Sequence, residues 1–192
     1  MRSVRRAHRV RVRGERGAAM VELALVLPLF VLLVFGVVEF GIVYNNDITL
    51  RQGVREAARQ GAVGNFGVAA TTGSPCYLTG TTGASTDIQN LMCLAKSQIG
   101  LDATKLRIKV LSGSSDFTSA GSFAKNDSLI VCAQFPLDNA AKIVSPLLGG
   151  ATLRTKTSIR IETSYSTQET GGQETAPSGT DWSWCTVSGA AP

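Results

Sequence analysis

The chain has 192 residues and a formal net charge of +5. That length suits an anchor and one modest core rather than several domains. The charge is confined to residues 1–17, where Arg2, Arg5, Arg6, Arg9, Arg11, Arg13 and Arg16 stand against Glu15. The rest carries 12 basic and 13 acidic residues, which argues against nucleic acid as a partner.

Residues 1–17 read as an Arg-rich cytoplasmic leader, and the only histidine, His8, lies in it as a solvated tail residue. From Leu23 to Val38 no side chain is charged or hydrogen-bonding. With Ala18–Val21 and Phe40–Tyr44 the run has ~27 largely apolar positions, more than the roughly 20 that cross a bilayer. A single long helix is expected over 18–63, about 69 Å if unbroken, with its membrane span at about 20–44. Pro28 should kink it, Gly36 and Gly41 add flexibility or allow another helix to approach, and Asn45-Asn46-Asp47 marks either a break or the exit into water. Glu22 and Glu39 lie about 25 Å apart along such a helix, close to the thickness of the hydrocarbon, so each can sit near an interface. Arginines stay on the cytoplasmic side, which predicts an N-terminus in the cytoplasm, a C-terminal domain outside it, and the lipid bilayer as a partner. The basic leader can also grip acidic lipid. A secretory signal has a shorter apolar core followed by a small-residue cleavage site near its end, and this run has neither property.

Beyond the span, Arg51, Arg55 and Arg59 recur every four residues on one helix face, while Ile48, Val54, Ala58 and Ala62 can line another. The basic stripe is a solvated face or a contact with headgroups or with acidic groups of a neighbouring subunit. Residues 64–192 read as an α+β domain. Residues 64–85 form a loop, then Asp87 can cap a helix over Ile88–Ile99 that Gly100 stops. In 105–111, Leu106, Ile108 and Val110 alternate with Lys105, Arg107 and Lys109, a strand with one wet face. Residues 112–127 connect to a more buried strand at 128–135, and a short apolar helix falls around 140–148. A long one-sided strand covers 152–165, with Leu153, Ile159, Ile161 and Tyr165 on one side and Arg154, Lys156, Arg160 and Glu162 on the other. Residues 166–181 have the composition of a flexible segment, and Trp182, Trp184 and Cys185 bring the tail back to the domain.

Cys76, Cys93, Cys132 and Cys185 all follow the span. An even number in an oxidising compartment reads as two disulfides, with three possible pairings. The favoured set is Cys76–Cys93, which closes a short loop, and Cys132–Cys185, which ties the tail to a buried strand. No C-x-x-C occurs and no histidine follows the span, so zinc, thiol redox and histidine-dependent nucleophilic catalysis are not expected. The glycine-rich pieces lack the strand–helix setting of a phosphate loop. No cofactor is implied.

One further pattern joins leader and span. A basic peptide ends at Gly17, followed by Ala18-Ala19-Met20-Val21 and then Glu22, which opens the apolar run. This stretch resembles the TadE-like proteins, minor pilins of the tight-adherence (Flp-type, type IVb) pilus system. Glu39-Phe40-Gly41, the Arg55–Ala62 segment and the basic-faced strand with Arg160–Glu162 are similar in outline, whereas Leu23 stands where the major-pilin motif usually has an aromatic residue. The resemblance implies cleavage between Gly17 and Ala18 by a prepilin peptidase and a Glu22 that pairs with the freed amine of a neighbouring subunit. Its partners would be other pilins and pilus assembly proteins. The expected protein is thus a non-enzymatic, single-pass component of pilus assembly, incorporated in a surface pilus or its machinery. The alternative is a permanently anchored cell-surface binding protein whose leader is never cut.

Overall fold

The computed structural model describes residues 15–66, 76–113, 123–137, 151–163, 165 and 169–187. The chain divides into two compact units, Met1–Phe40 and Gly41–Pro192.

The described residues of the first unit are helical. Helix α1 runs over Glu15–Ala62, beginning before the expected Ala18 and continuing through Pro28 and through Asn45-Asn46-Asp47. Every large apolar side chain from Met20 to Val38 is at least 40 % exposed. A surface of that kind suits a hydrocarbon solvent.

The second unit starts inside α1, at Gly41. From Gly41 on, the helix changes character, and Leu50, Val54, Ala57, Ala58 and Ala62 are all buried. Leu50, Val54, Ala57 and Ala58 pack with Ile88, Leu91, Met92, Ala95 and Ile99 of α2 (Thr86–Ile99) in one core cluster. Burying an aliphatic side chain of this size contributes about 1.5–3 kcal/mol. Gly53 sets how near the helices come, since a Cβ there would stand 2.5 Å from Ile99 Cγ1 and 2.6 Å from Ile99 Cα.

Four antiparallel strands, β1 (Arg107–Ser112), β2 (Ser128–Pro136), β3 (Thr152–Arg160) and β4 (Gly172–Gln173), form one sheet in the order β3-β2-β1-β4. β1 pairs with β2 in the register Val110↔Val131, and β2 with β3 in the register Val131↔Thr157. Ile108, Val110, Leu129, Val131 and Ala133 share the main core with the helices. The opposite face carries a second cluster, Leu111, Ile130, Cys132, Trp182 and Cys185.

That second cluster corrects two expectations. The basic side of β1 is not wet at Lys109, which is only 6 % exposed under the C-terminal segment, while Lys105 and Arg107 are partly exposed. Residues 166–181 are not a flexible tail from Glu169 on. Glu169 and Glu174 are buried, and Gly172 and Gln173 pair with β1. The physical reason is that polar residues can be ordered when their hydrogen bonds are met inside the fold, and Glu174 meets four such groups described below.

Element ends also shift. Asp87 sits in the first turn of α2 rather than capping it; Ser85 takes the cap position with its hydroxyl donating to the Glu169 carboxylate. Gly100 ends α2 with φ 66°, and its N–H donates to Lys96 O at 3.2 Å. β3 ends at Arg160 rather than 165, because Glu162 N–H donates instead to Ala62 O at 2.9 Å, and Tyr165 Oη donates to Gly61 O at 2.7 Å. The apolar helix expected around 140–148 lies outside the described residues.

Candidate functional site

Gly17, Ala18 and Glu22 fall in the first turns of α1, and all three are exposed. A Cβ at Gly17 would meet nothing within 4 Å. Among the described residues Glu22 makes no hydrogen bond or ion pair. The helix behind it contains an 18-residue window of mean hydropathy 2.8, none of it buried. At the centre of a membrane helix a carboxylate costs roughly 2.5–3.5 kcal/mol, and such residues are found paired. Glu22 is thus an ionisable group at the head of an apolar helix, with its carboxylate open to a group from elsewhere. Glu39, towards the other end of the run, is 7 % exposed.

In the second unit the acidic and basic side chains serve structure. Lys96 Nζ lies 2.7 Å from Glu174 Oε1, with a further bond to Ala103 O at 3.0 Å and another to Tyr77 O. Glu174 also accepts from Thr79 N–H and Ile108 N–H, each at 2.8 Å. Burial pushes the lysine's pKa down, and the carboxylate opposes that shift. This knot joins α2, β1 and the segment after β4, and nothing in the sequence announced it, since the two residues stand 78 positions apart. Asp87, Glu169 and Tyr165 form a second group. Burial and the nearby Glu169 raise the Asp87 carboxyl, and burial with both carboxylates raises the Tyr165 phenol.

The four cysteines form Cys76–Cys93 and Cys132–Cys185, with Cα separations of 5.2 and 6.2 Å. Trp182 is buried beside the second bridge, its Nε1–H donating to Glu174 O at 2.8 Å. Trp184 stacks 5.9 Å from it and lies under the Arg154 guanidinium. The tryptophans therefore close the small cluster on the outer sheet face. Among the described residues no group of three His, Cys, Asp or Glu side chains gathers as a metal site would need.

On the outer side of α1, Arg51 pairs with Asp47 at 2.9 Å and Arg59 with Glu56 at 2.7 Å. The Arg59 bonds, aided by Gln60, hold the Glu56 carboxyl at about 2. Arg55, between them, is exposed.

An unburied apolar helix long enough to cross a bilayer, joined to a disulfide-bonded α+β domain, fits the class of single-pass membrane proteins. Residues 17–59 match the model of the family described as TadE-like protein, consistent with a TadE-like protein of the tight-adherence system. That range covers Gly17, Ala18, Glu22, the apolar run and the Arg stripe, and leaves the sheet and both disulfides outside it. No curated protein matches the chain, and no solved structure matches it.

Proposed function

We propose that the protein is a non-enzymatic minor pilin of a tight-adherence pilus, made as a single-pass precursor and processed between Gly17 and Ala18. The observation that carries this reading is the placement of Gly17-Ala-Ala-Met-Val-Glu22 at the head of an exposed apolar helix, in the segment that matches the TadE-like model. Cleavage at Gly17 frees an amine at Ala18, and that amine on one subunit is the cation that Glu22 of the next can meet inside the bilayer or the filament. A buried carboxylate is tolerable when it is so paired. The cut lies in the first turn of α1, where helix ends fray and glycine lowers the cost of opening by about 1 kcal/mol relative to alanine.

The arginines before the cut hold the N-terminus in the cytoplasm, and the disulfide-bonded domain occupies an oxidising compartment outside it. The partners are the bilayer, a prepilin peptidase and other pilus components.

Intact mass and N-terminal sequencing of the membrane-extracted protein, with the prepilin peptidase present and absent, test the reading. A peptidase-dependent start at Ala18 supports it. A start at Met1 under both conditions replaces it with a permanently anchored surface protein that keeps its leader.

A further inference from the structure

Within the second unit, the outer side of α1 and the edge of the sheet border a groove of about 470 Å³, lined by Gln52, Arg55, Glu56, Arg59, Thr157 and Ile159. The sheet ends here, because β3 is the outermost strand and pairs, among the described residues, with β2 alone. In an antiparallel ladder successive residues turn their N–H and C=O alternately to one neighbour and the other. Ile161 turns towards β2, since its N–H donates to Asp127 O and its C=O accepts from Asn126 N–H, both at 2.8 Å. The even positions therefore turn outward, and Glu162 N–H does so, reaching Ala62 O at the end of α1. Ser158 and Arg160 present their backbone groups at the same edge, and both residues are exposed. Thr157 and Ile159 are half-buried beside them, with Ile159 at the margin of the main core.

The charges around this edge do not balance. Glu56 is taken by Arg59, whereas Arg55 and Arg160 are exposed and, among the described residues, meet no acid. An open strand edge is a template for another strand, and guanidinium groups favour carboxylates.

We infer that this groove receives an extended, acidic segment of a partner protein, which adds to β3 as a fifth strand. The segment's aliphatic side chains rest on Ile159 and Thr157, and its carboxylates meet Arg55 and Arg160. A second copy of β3 does not suit the edge, since Arg154, Lys156 and Arg160 of the two strands would be set like against like. An anionic lipid surface would engage the arginines but has no backbone to take the edge amides of Ser158 and Arg160. The inference stands apart from the processing at Gly17 and survives whichever N-terminus is found.

The test uses the full chain in neutral-detergent micelles and a short synthetic peptide of alternating valine and glutamate. Binding is followed by amide chemical shifts and hydrogen exchange. The expected result is slowed exchange at the Ser158 and Arg160 amides, and binding about tenfold weaker in the Arg55→Glu/Arg160→Glu variant. Ser158→Pro removes one outward N–H at a position where an edge strand accepts proline, and it should abolish binding while leaving Trp182 fluorescence unchanged. The inference is overturned by any of three results: no protection at the Ser158 and Arg160 amides, equal binding of the same peptide with its backbone nitrogens methylated, or equal protection of these amides by anionic phospholipid vesicles.

Discussion

Lys96 and Glu174 meet at 2.7 Å with their side chains 1 % and 0 % exposed, and between them they tie α2 to β1 and the segment after β4. Removing one member leaves the other charged in a site without water, which typically costs 3–5 kcal/mol. Lys96→Met should therefore lose about 3–5 kcal/mol in urea unfolding of the detergent-solubilised protein. A loss under about 1 kcal/mol would mean that the carboxylate finds water or another donor once the lysine is gone.

Gly53 lies directly against Ile99 of α2. In an exposed helix Gly→Ala gains about 1 kcal/mol, but here the new methyl would overlap both the backbone and the side chain of Ile99. Gly53→Ala is expected to destabilise by about 1–3 kcal/mol, the usual cost of overpacking. A urea midpoint equal to or above the parent's would sink that argument.

The Glu56 carboxyl should titrate at about 2 in the folded protein, against a usual 4.5, because Arg59 and Gln60 donate to its ionised form. A carboxyl lowered in the folded state contributes stability that is complete above its unfolded value and is lost as the pH falls from 4.5 towards 2. Asp87, raised by burial and by Glu169, has the opposite sign, so its contribution weakens as the pH rises through its usual 3.8. Carboxyl-carbon NMR titration reads both, and Arg59→Gln should move Glu56 back up.

The Cys132–Cys185 bridge closes a separation of 53 residues, for which loop entropy gives about 4 kcal/mol. Replacing both cysteines by serine should release the segment over the outer sheet face and shift Trp182 fluorescence to the red. The same replacement of Cys76 and Cys93, which stand 17 residues apart, should leave that signal in place.

Glu22→Gln keeps the length and shape of the apolar helix but removes the charge. On the proposed reading it should reach the membrane in normal amount and fail to enter sheared pilus fractions. Normal recovery in those fractions would remove the pairing role from Glu22.

The sequence was most legible where one physical demand dominates. The apolar run of α1 has the length and composition of a helix that can cross a bilayer, and the alternation of Leu106, Ile108 and Val110 sets the inner face of β1. Gly100 marks the end of α2 because its left-handed φ suits glycine. What escaped depends on residues distant in the chain. The composition around Glu174 is that of a loop, and only the arrival of Lys96, Thr79 and Ile108 makes it a core position. Gly53 and Gly61 look like helix weaknesses in isolation, and their use appears only when Ile99 and Leu91 are laid against them. The strand β4 has two residues and no alternation to detect. Glu22 is the reverse case, read from a local motif and left by the fold with its carboxylate in the open.

The knot between Lys96 and Glu174 also orders events in time. A ribosome adding about 5–20 residues per second needs several seconds to travel from one to the other. Throughout that interval α2 carries an ammonium with the carbonyls of Tyr77 and Ala103 but no carboxylate to neutralise it in the core, so the helix gains less by docking early. The domain should then close late and from its far end, when the stretch around Glu174 supplies the carboxylate and Cys185 follows to bridge to Cys132. A chain stopped short of Glu174 should yield no smaller domain, only an unclosed one for proteases to clear.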